Sequence, residues 1–334
     1  MSPRRSPRPV AVTCGDANGI GPEVALRAAS AFATPRRPVV LVGTRPVWTA
    51  AARLLDLPAP PEIDTLETAS VPPLSTWDPD MAPAPKIRPG RLARDSARHA
   101  YAAILAAVAA AQNRLVSAVV TAPINKEAFQ LAGIPEPGHT ELLARLTGTR
   151  RYAMMLFGRR LRVVLATRHL PLSLVAKRLR ASDIAESVSL LAEALPLMGL
   201  PRARIGVCAL NPHAGDGGAL GTEEKTLIAP EIRRLSKLGY SLEGPVPADA
   251  IFHRALAGDF DAVVAMYHDQ GLGPLKMLSF DDGVNWTIGL PIIRTSPDHG
   301  TAFGIAWQNL ASPSSTFSAL RWAARLASRP NPWA

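Results

Sequence analysis

Residues 261–271 read DAVVAMYHDQG, and this stretch decides the fold. Its first half is a short apolar, β-branched run of the kind that forms a strand buried on both faces. Its second half turns polar at once and ends in glycine, as strand ends do where an α/β protein opens onto a ligand site. Working outward, the same apolar run recurs as PVAVTC (9–14), PVVLVG (38–43), SAVVTAP (117–123), RVVLAT (162–167) and RIGVCAL (204–210). Between these runs, residues 23–32, 93–115, 182–197, 222–238 and 315–327 carry apolar side chains at helical spacing. The alternation predicts an α/β fold whose helices cover the faces of a sheet. Residues 57–89, rich in proline and acidic side chains with weak periodicity, are expected to form an irregular, peripheral excursion. The terminal SRPNPWA is expected to fray.

A chain of 334 residues suits two lobes that share a sheet or a cleft. The organisation expected is a disordered tail over residues 1–8 and a single two-lobed catalytic unit over residues 9–330, with discontinuous lobes. Hydrophobic residues at 47% and charged residues at 19% describe an ordinary globular interior. The net charge of +10 points toward a polyanion, but only six of the 37 basic residues are lysine and the arginines are scattered. With no basic helix or RNA-binding aromatic pattern, no nucleic-acid partner is expected, and a small anionic substrate accounts better for the local basic residues. Cys14 and Cys208 each close an apolar run and read as core thiols rather than a disulfide, which suits a reducing compartment, the cytoplasm. Asp16, Asn18 and Glu23 interrupt the segment where a signal peptide would need apolar continuity, so none is expected. The alanine-rich stretch 100–111 falls far short of the roughly 20 residues of a membrane span, and no membrane partner is expected.

The polar clusters that follow the strands carry the chemistry. They are GDANGIGPE (15–23), TAPINKE (121–127), GHTE (138–141), TRHLP (167–171), NPHAGDGG (211–218) and YHDQG (267–271), with a further polar stretch over 276–300. Three of them deliver one histidine each: His169, His213 and His268. Any one alone reads most simply as a structural histidine; three at equivalent strand ends read as ligands of one catalytic divalent metal. No HExxH, CxxC pair or zinc-finger spacing is present, which favours an open catalytic site over a closed structural one. GDANGIGPE can either present backbone amides to an anion or make a tight strand-to-helix turn, and it does not complete a dinucleotide GxGxxG. Lys276, Asn285 and Arg294 are spread through a glycine-punctuated stretch rather than along a helix face, and a lysine with an arginine can hold phosphate. Arg294 lies in the apolar IGLPIIRTS, where an unpaired guanidinium is costly, so an anionic partner is expected there. His139 and Thr140 can contribute hydrogen bonds, or Thr140 can cap a helix.

Taken in order, GDANGIGPE, TAPINKE, GHTELLA, TRHLPLSLV, LNPHAGDGG, GPVPADAIF, YHDQGLGPLK and GVNWTIGLPIIRTSPDHGTA closely resemble the 4-hydroxythreonine-4-phosphate dehydrogenase family of pyridoxal phosphate biosynthesis, over residues 12–306. The resemblance implies a two-lobed α/β fold similar to isocitrate and isopropylmalate dehydrogenases, with the active-site cleft between the lobes, and a homodimer with interface active sites. It implies His169, His213 and His268 as metal ligands, for zinc, magnesium or cobalt. His139, Thr140, Lys276, Asn285 and Arg294 fall on substrate contacts. The implied reaction is NAD-dependent oxidation of 4-phosphooxy-L-threonine with loss of carbon dioxide, giving 3-amino-2-oxopropyl phosphate. Lys276, Asp249 and Asp269 are the candidate catalytic residues, the two aspartates as proton acceptors or as partners of the histidines.

Two departures from the family pattern stand out. Ala17 and Asn18 occupy the middle of the first motif, which usually reads GDPAGIGPE, and Gly304 and Trp307 stand where Asp and Gly are usual after DHGTA. In related dehydrogenases that second segment lines the adenosine side of the cofactor. No cofactor-binding residue is assigned, and NADP stands beside NAD as the coenzyme. The competing substrate is a related four-carbon sugar-acid phosphate, 4-phospho-threonate or 4-phospho-erythronate. A further alternative is a non-catalytic ligand-binding relative.

Overall fold

A computed structural model describes residues 7–66, 71–80 and 82–334. The expected tail over residues 1–8 lies outside the described residues except for Pro7 and Arg8, which are exposed and without regular structure. The chain divides into two compact units, residues 1–150 with 290–334, and residues 151–289.

The first unit begins β1 (Val10–Thr13), α1 (Gly21–Phe32), β2 (Val39–Val42), α2 (Arg45–Leu54), β3 (Leu74–Trp77), α3 (Arg94–Gln112), β4 (Ala118–Thr121), α4 (Lys126–Leu131) and α5 (His139–Leu146). The second unit holds β5 (Ala153–Phe157), β6 (Arg162–Leu165), α6 (Leu172–Arg178), α7 (Ala181–Met198), β7 (Ile205–Cys208), α8 (Ala229–Lys237), β8 (Leu242–Val246), α9 (Ala248–Ala257), β9 (Ala262–Ala265), α10 (His268–Ser279) and β10 (Val284–Ile288). The chain then returns to the first unit as β11 (Arg294–Pro297) and α11 (Ser314–Ala327).

Strands of the first unit lie in the order β3-β2-β1-β4-β11, all parallel, with Val10 opposite both Val39 and Ala118. Those of the second lie in the order β10-β5-β6-β9-β7-β8, where β5 runs antiparallel to both neighbours and the last four are parallel. Every apolar run read as a strand is one, and β1, β2, β4, β7 and β9 are buried along their whole length. Helices cover both faces, as a parallel sheet requires. In the first unit Ile104 and Val108 of α3 pack with Phe129, Leu142 and Leu143. In the second Ile251, Phe252 and Leu275 pack on Leu156, Val163 and Val263.

The residues 57–89 excursion, of which 67–70 and 81 lie outside the described residues, is more regular than expected. It contributes β3, which pairs in register with β2 from Val39↔Leu74 to Val42↔Trp77. The carboxyl end does not hang free: Asn331 Nδ2 donates to the Leu290 carbonyl at 3.0 Å. Cys14 and Cys208 are buried free thiols.

Candidate active site

The ends of β6 and β9 are fastened to each other beyond their last ladder pair. Ala166 donates its amide to the Ala265 carbonyl at 2.8 Å, and Thr167 gives both its amide (3.1 Å) and its hydroxyl (2.6 Å) to the Met266 carbonyl. Two residues beyond Thr167 and Met266 stand His169 and His268, whose rings lie 5.6 Å apart between centroids at 43°. Asp269 Oδ1 lies 2.7 Å from His268 Nδ1. With the carboxylate accepting from Nδ1, Nε2 is the nitrogen left for a metal, the pairing seen in metal-ligating imidazoles. The pair therefore fits a divalent ion.

Gln270 ties the third strand end to these two. Its Oε1 accepts from the Met266 amide and its Nε2 donates to the Ala209 carbonyl beyond β7, each at 2.7 Å. The chain from there to His213 is held by Glu224, whose Oε1 accepts the Leu210 and Asn211 amides at 2.9 and 2.7 Å. Burial alone would raise the Glu224 pKa, but the hydrogen bonds from Asn211 and Leu210 together hold it below the ordinary value. His213 opens a left-handed run, with φ of 50°, 54°, 80°, 41° and 66° from His213 to Gly217. For its three non-glycine members that geometry costs about 1–2 kcal/mol each. Lys225 Nζ donates to the Gly217 carbonyl and Leu220 to that of Gly215, which keep the run closed. His213 and Asp249, the second residue of α9, line one cavity of about 330 Å³ together with Asn211, Tyr267 and Gln270. Among the described residues, no group of three His, Cys, Asp or Glu donors gathers within one chain.

Lys276 lies on α10, two turns beyond His268, and not in the irregular stretch expected for it, because the helix continues through Pro274. Asn285 sits inside β10 opposite Leu156, and its buried Oδ1 has no hydrogen-bond partner among the described residues.

The first unit holds the other expected contacts. Arg294 begins β11 and is 1% exposed, with Nε and Nη2 donating to Thr121 Oγ1 at 3.0 and 2.5 Å. Burial pushes its pKa down to about 9, which leaves it cationic at neutral pH. His139 is the first residue of α5, and its buried Nε2 has no hydrogen-bond partner among the described residues. Burial, then the charges of Arg294 and Lys126, hold its pKa well below the ordinary value, so the ring is neutral. Thr140 does not cap α5, since Gly138 occupies the N-cap position. Lys126, the first residue of α4, was passed over in the sequence although TAPINKE marked its neighbourhood; its Cε packs beside Gly138.

GDANGIGPE is a tight turn rather than an anion cradle. The amides of Asp16, Asn18, Gly19 and Ile20 are already donated to Pro123, Asp16 Oδ1, Asp16 and Thr301. At Gly15, with φ of 65°, a Cβ would stand 2.4 Å from the Pro123 carbonyl. Asn18 bonds outward to the Arg88 amide at 2.7 Å and the Arg91 carbonyl at 2.8 Å, and Trp307 Nε1 donates to the Ala17 carbonyl at 2.8 Å. The unusual residues of the two departing motifs thus meet. Glu23 accepts from the Trp307 and Asn309 amides at 3.1 and 3.2 Å and fixes that segment on α1. Gly304 is exposed, and a Cβ there would have nothing within 4 Å.

Residues 35–323 match the family described as pyridoxal phosphate biosynthetic protein PdxA. The chain belongs to the PdxA family. It is 44% identical to the 4-hydroxythreonine-4-phosphate dehydrogenase of Desulforapulum autotrophicum, covering 95% of each chain. It is 41% identical to the D-threonate 4-phosphate dehydrogenase of Cupriavidus necator, covering 96% of this chain and 97% of the other. The crystal structure of the 4-hydroxythreonine-4-phosphate dehydrogenase of Klebsiella pneumoniae superposes with a TM-score of 0.83 at 39% identity, over 96% of this chain and 99% of that one. The α/β architecture of the PdxA family is therefore that of this chain.

Proposed function

We propose that this PdxA-family chain oxidises 4-phosphooxy-L-threonine at its 3-hydroxyl with NAD and a divalent metal, and releases carbon dioxide to leave 3-amino-2-oxopropyl phosphate. The observation that carries this reading is the His169–His268 pair, set by two joined strand ends with Asp269 on Nδ1. His169, His268 and His213 would hold zinc, magnesium or cobalt, which supplies Lewis acidity toward the substrate hydroxyl and the carbonyl it becomes. The chemistry a bound nicotinamide coenzyme, NAD or alternatively NADP, would supply is a hydride acceptor.

The chain's own part is to position anions and handle a proton. Arg294 supplies a buried positive charge for a phosphate or carboxylate oxygen, and neutral His139 offers its unmet Nε2 to the same group, with Thr140 beside it. Lys276 and Asn285 complete the substrate contacts. Asp249, in the cavity with His213, takes the hydroxyl proton, and Asp269 orients His268.

The active unit is a homodimer in the cytoplasm, with residues 9–330 of each copy acting as one catalytic unit. That only two histidine rings, His169 and His268, are seen to meet among the described residues of one chain supports it. So does α10, where Lys276 follows His268 by about 12 Å of helical rise, a long reach for a four-carbon substrate bound at both ends. The same segments expose apolar side chains: Met277 (89%) and Phe280 (80%) near Lys276, and Leu172 (71%) shortly after His169. A second copy of the chain would cover them and complete the donor set. Among the described residues no helix is long and apolar enough to cross a membrane.

The relative named for D-threonate 4-phosphate, nearly as similar as the first, favours a second reading in which that acid, or 4-phospho-erythronate, is the substrate. Purified protein given metal and NAD is expected to form NADH from 4-phosphooxy-L-threonine with kcat/KM at least about tenfold above that for D-threonate 4-phosphate. The reverse order establishes the second reading, and no turnover with either makes the chain a non-catalytic relative.

A further inference from the structure

Arg168 stands between Thr167, whose hydroxyl fastens the strand ends, and His169. Its carbonyl accepts from the Leu170 amide at 3.1 Å, so the backbone turns sharply where these side chains leave it. The guanidinium carbon lies 4.6 Å from the centroid of the Tyr152 ring, just before β5. Stacking on an aromatic face fixes the plane of the fork and leaves its N–H edge free for hydrogen bonds. Nη1 on that edge is buried, and among the described residues nothing accepts its hydrogens.

Other arginines of the second unit have acceptors built into the fold. Arg151 reaches Glu193 at 2.7 Å, Arg162 the Asp261 carbonyl at 3.0 Å, and Arg254 both Glu243 and Asp259 at 2.6 and 2.9 Å. Arg168 is placed by the Tyr152 ring, yet its buried Nη1 has no acceptor among the described residues, one residue from a candidate metal ligand. A buried cationic donor without an acceptor is the feature an incoming oxyanion satisfies. Four-carbon phospho-acids carry two oxyanionic groups, a phosphate and a carboxylate.

We propose that Arg168 is a substrate-binding residue, receiving one oxyanion of the substrate, phosphate or carboxylate, in charge-assisted hydrogen bonds through Nη1. The identity of the substrate rests on the function proposed above; the presence of an anion site does not.

The test is calorimetric titration of zinc-loaded wild type, Arg168→Ala and Arg168→Lys with two probes, inorganic phosphate and D-threonate. Arg168→Ala is expected to weaken one probe by about tenfold or more, with Arg168→Lys recovering part of the loss, while zinc content and cooperative thermal unfolding persist. Loss confined to phosphate assigns the phosphate, and loss confined to D-threonate the carboxylate. Unchanged binding of both probes overturns the proposal, as does a wild type that binds neither. Loss of both together with zinc also overturns it, since Arg168 would then only support His169. In turnover, KM should rise with kcat little changed. If no four-carbon phosphate is oxidised, the function proposed above fails while the titrations still decide the role of Arg168.

Discussion

Thr167 Oγ1 donates to the Met266 carbonyl at 2.6 Å, and this bond joins the two strand ends from which His169 and His268 depart. Thr167→Val keeps the shape and the backbone amide bond but removes the hydroxyl. Zinc affinity is expected to fall about tenfold, since supports of metal ligands are worth that order, while the protein remains folded. Competition with a chromogenic chelator measures it; unchanged affinity would separate the strand-end bond from the metal site.

Asp269→Asn should act on the same ion by another route. The amide is a weaker acceptor for Nδ1–H, so His268 loses both orientation and basicity, and metal affinity is expected to drop about 10–100-fold. Asp269 is exposed, so the melting temperature of the metal-free protein should not move.

Phe280→Asp places a charge on a side chain that is 80% exposed in the single chain. It should leave the fold of each chain intact and convert a dimer to monomers in sedimentation velocity, with activity lost in parallel. A dimer of unchanged stability would move the interface elsewhere.

Acid should destabilise the protein partly through His99. Its Nε2 accepts the Thr44 amide at 3.0 Å, and burial pushes the imidazole from 6.5 down to about 4, opposed slightly by Asp78. As pH falls below 6.5, the unfolded chain takes a proton that the native ring refuses, so stability is lost across the window to about 4, to a total of about 3 kcal/mol. His139 works in the same direction. Asp16 and Glu23, pushed up by burial, work oppositely: their contribution is full below the unfolded carboxyl values and fades as pH rises. Urea midpoints measured across this window should decline less steeply in His99→Gln than in the wild type.

Two glycines should respond oppositely to a side chain. Gly15→Ala drives a Cβ to 2.4 Å from a backbone oxygen at positive φ and should cost upwards of about 2 kcal/mol. Gly304→Asp meets nothing within 4 Å and should leave the melting temperature unchanged. If this segment holds the coenzyme ribose, the new carboxylate should lower KM for NAD relative to NADP.

The strands legible in the sequence are six runs rich in β-branched apolar residues; β5 (AMMLF), buried throughout but without a β-branched residue, was not among them. β11 escaped notice because Arg294 and Thr295 are buried with hydrogen-bond partners, Thr295 Oγ1 donating to the Ala319 carbonyl at 2.9 Å, and hydropathy does not register such partners. β3 was hidden by the prolines around it, and β10 by Asn285 in its middle. Each histidine was visible because it follows a strand. The nearness of His169 to His268 was not, since it depends on β6 and β9 pairing across about a hundred residues, with Val163 opposite Val263. The glycines of NPHAGDGG announce a turn, but nothing in the letters says that His213 and Ala214 share its left-handed backbone. The amides of GDANGIGPE looked open because their acceptors, Pro123 and Thr301, come from distant segments.

His169 and His268 are brought together by folding alone, whereas among the described residues no third donor joins them within the chain. If the third ligand comes from a second copy, as proposed above, the ion and that copy would recruit each other by mass action. Metal supply would then act as the assembly signal: scarce zinc would leave separate, inactive chains, and a chelator would strip a dilute solution far sooner than a concentrated one.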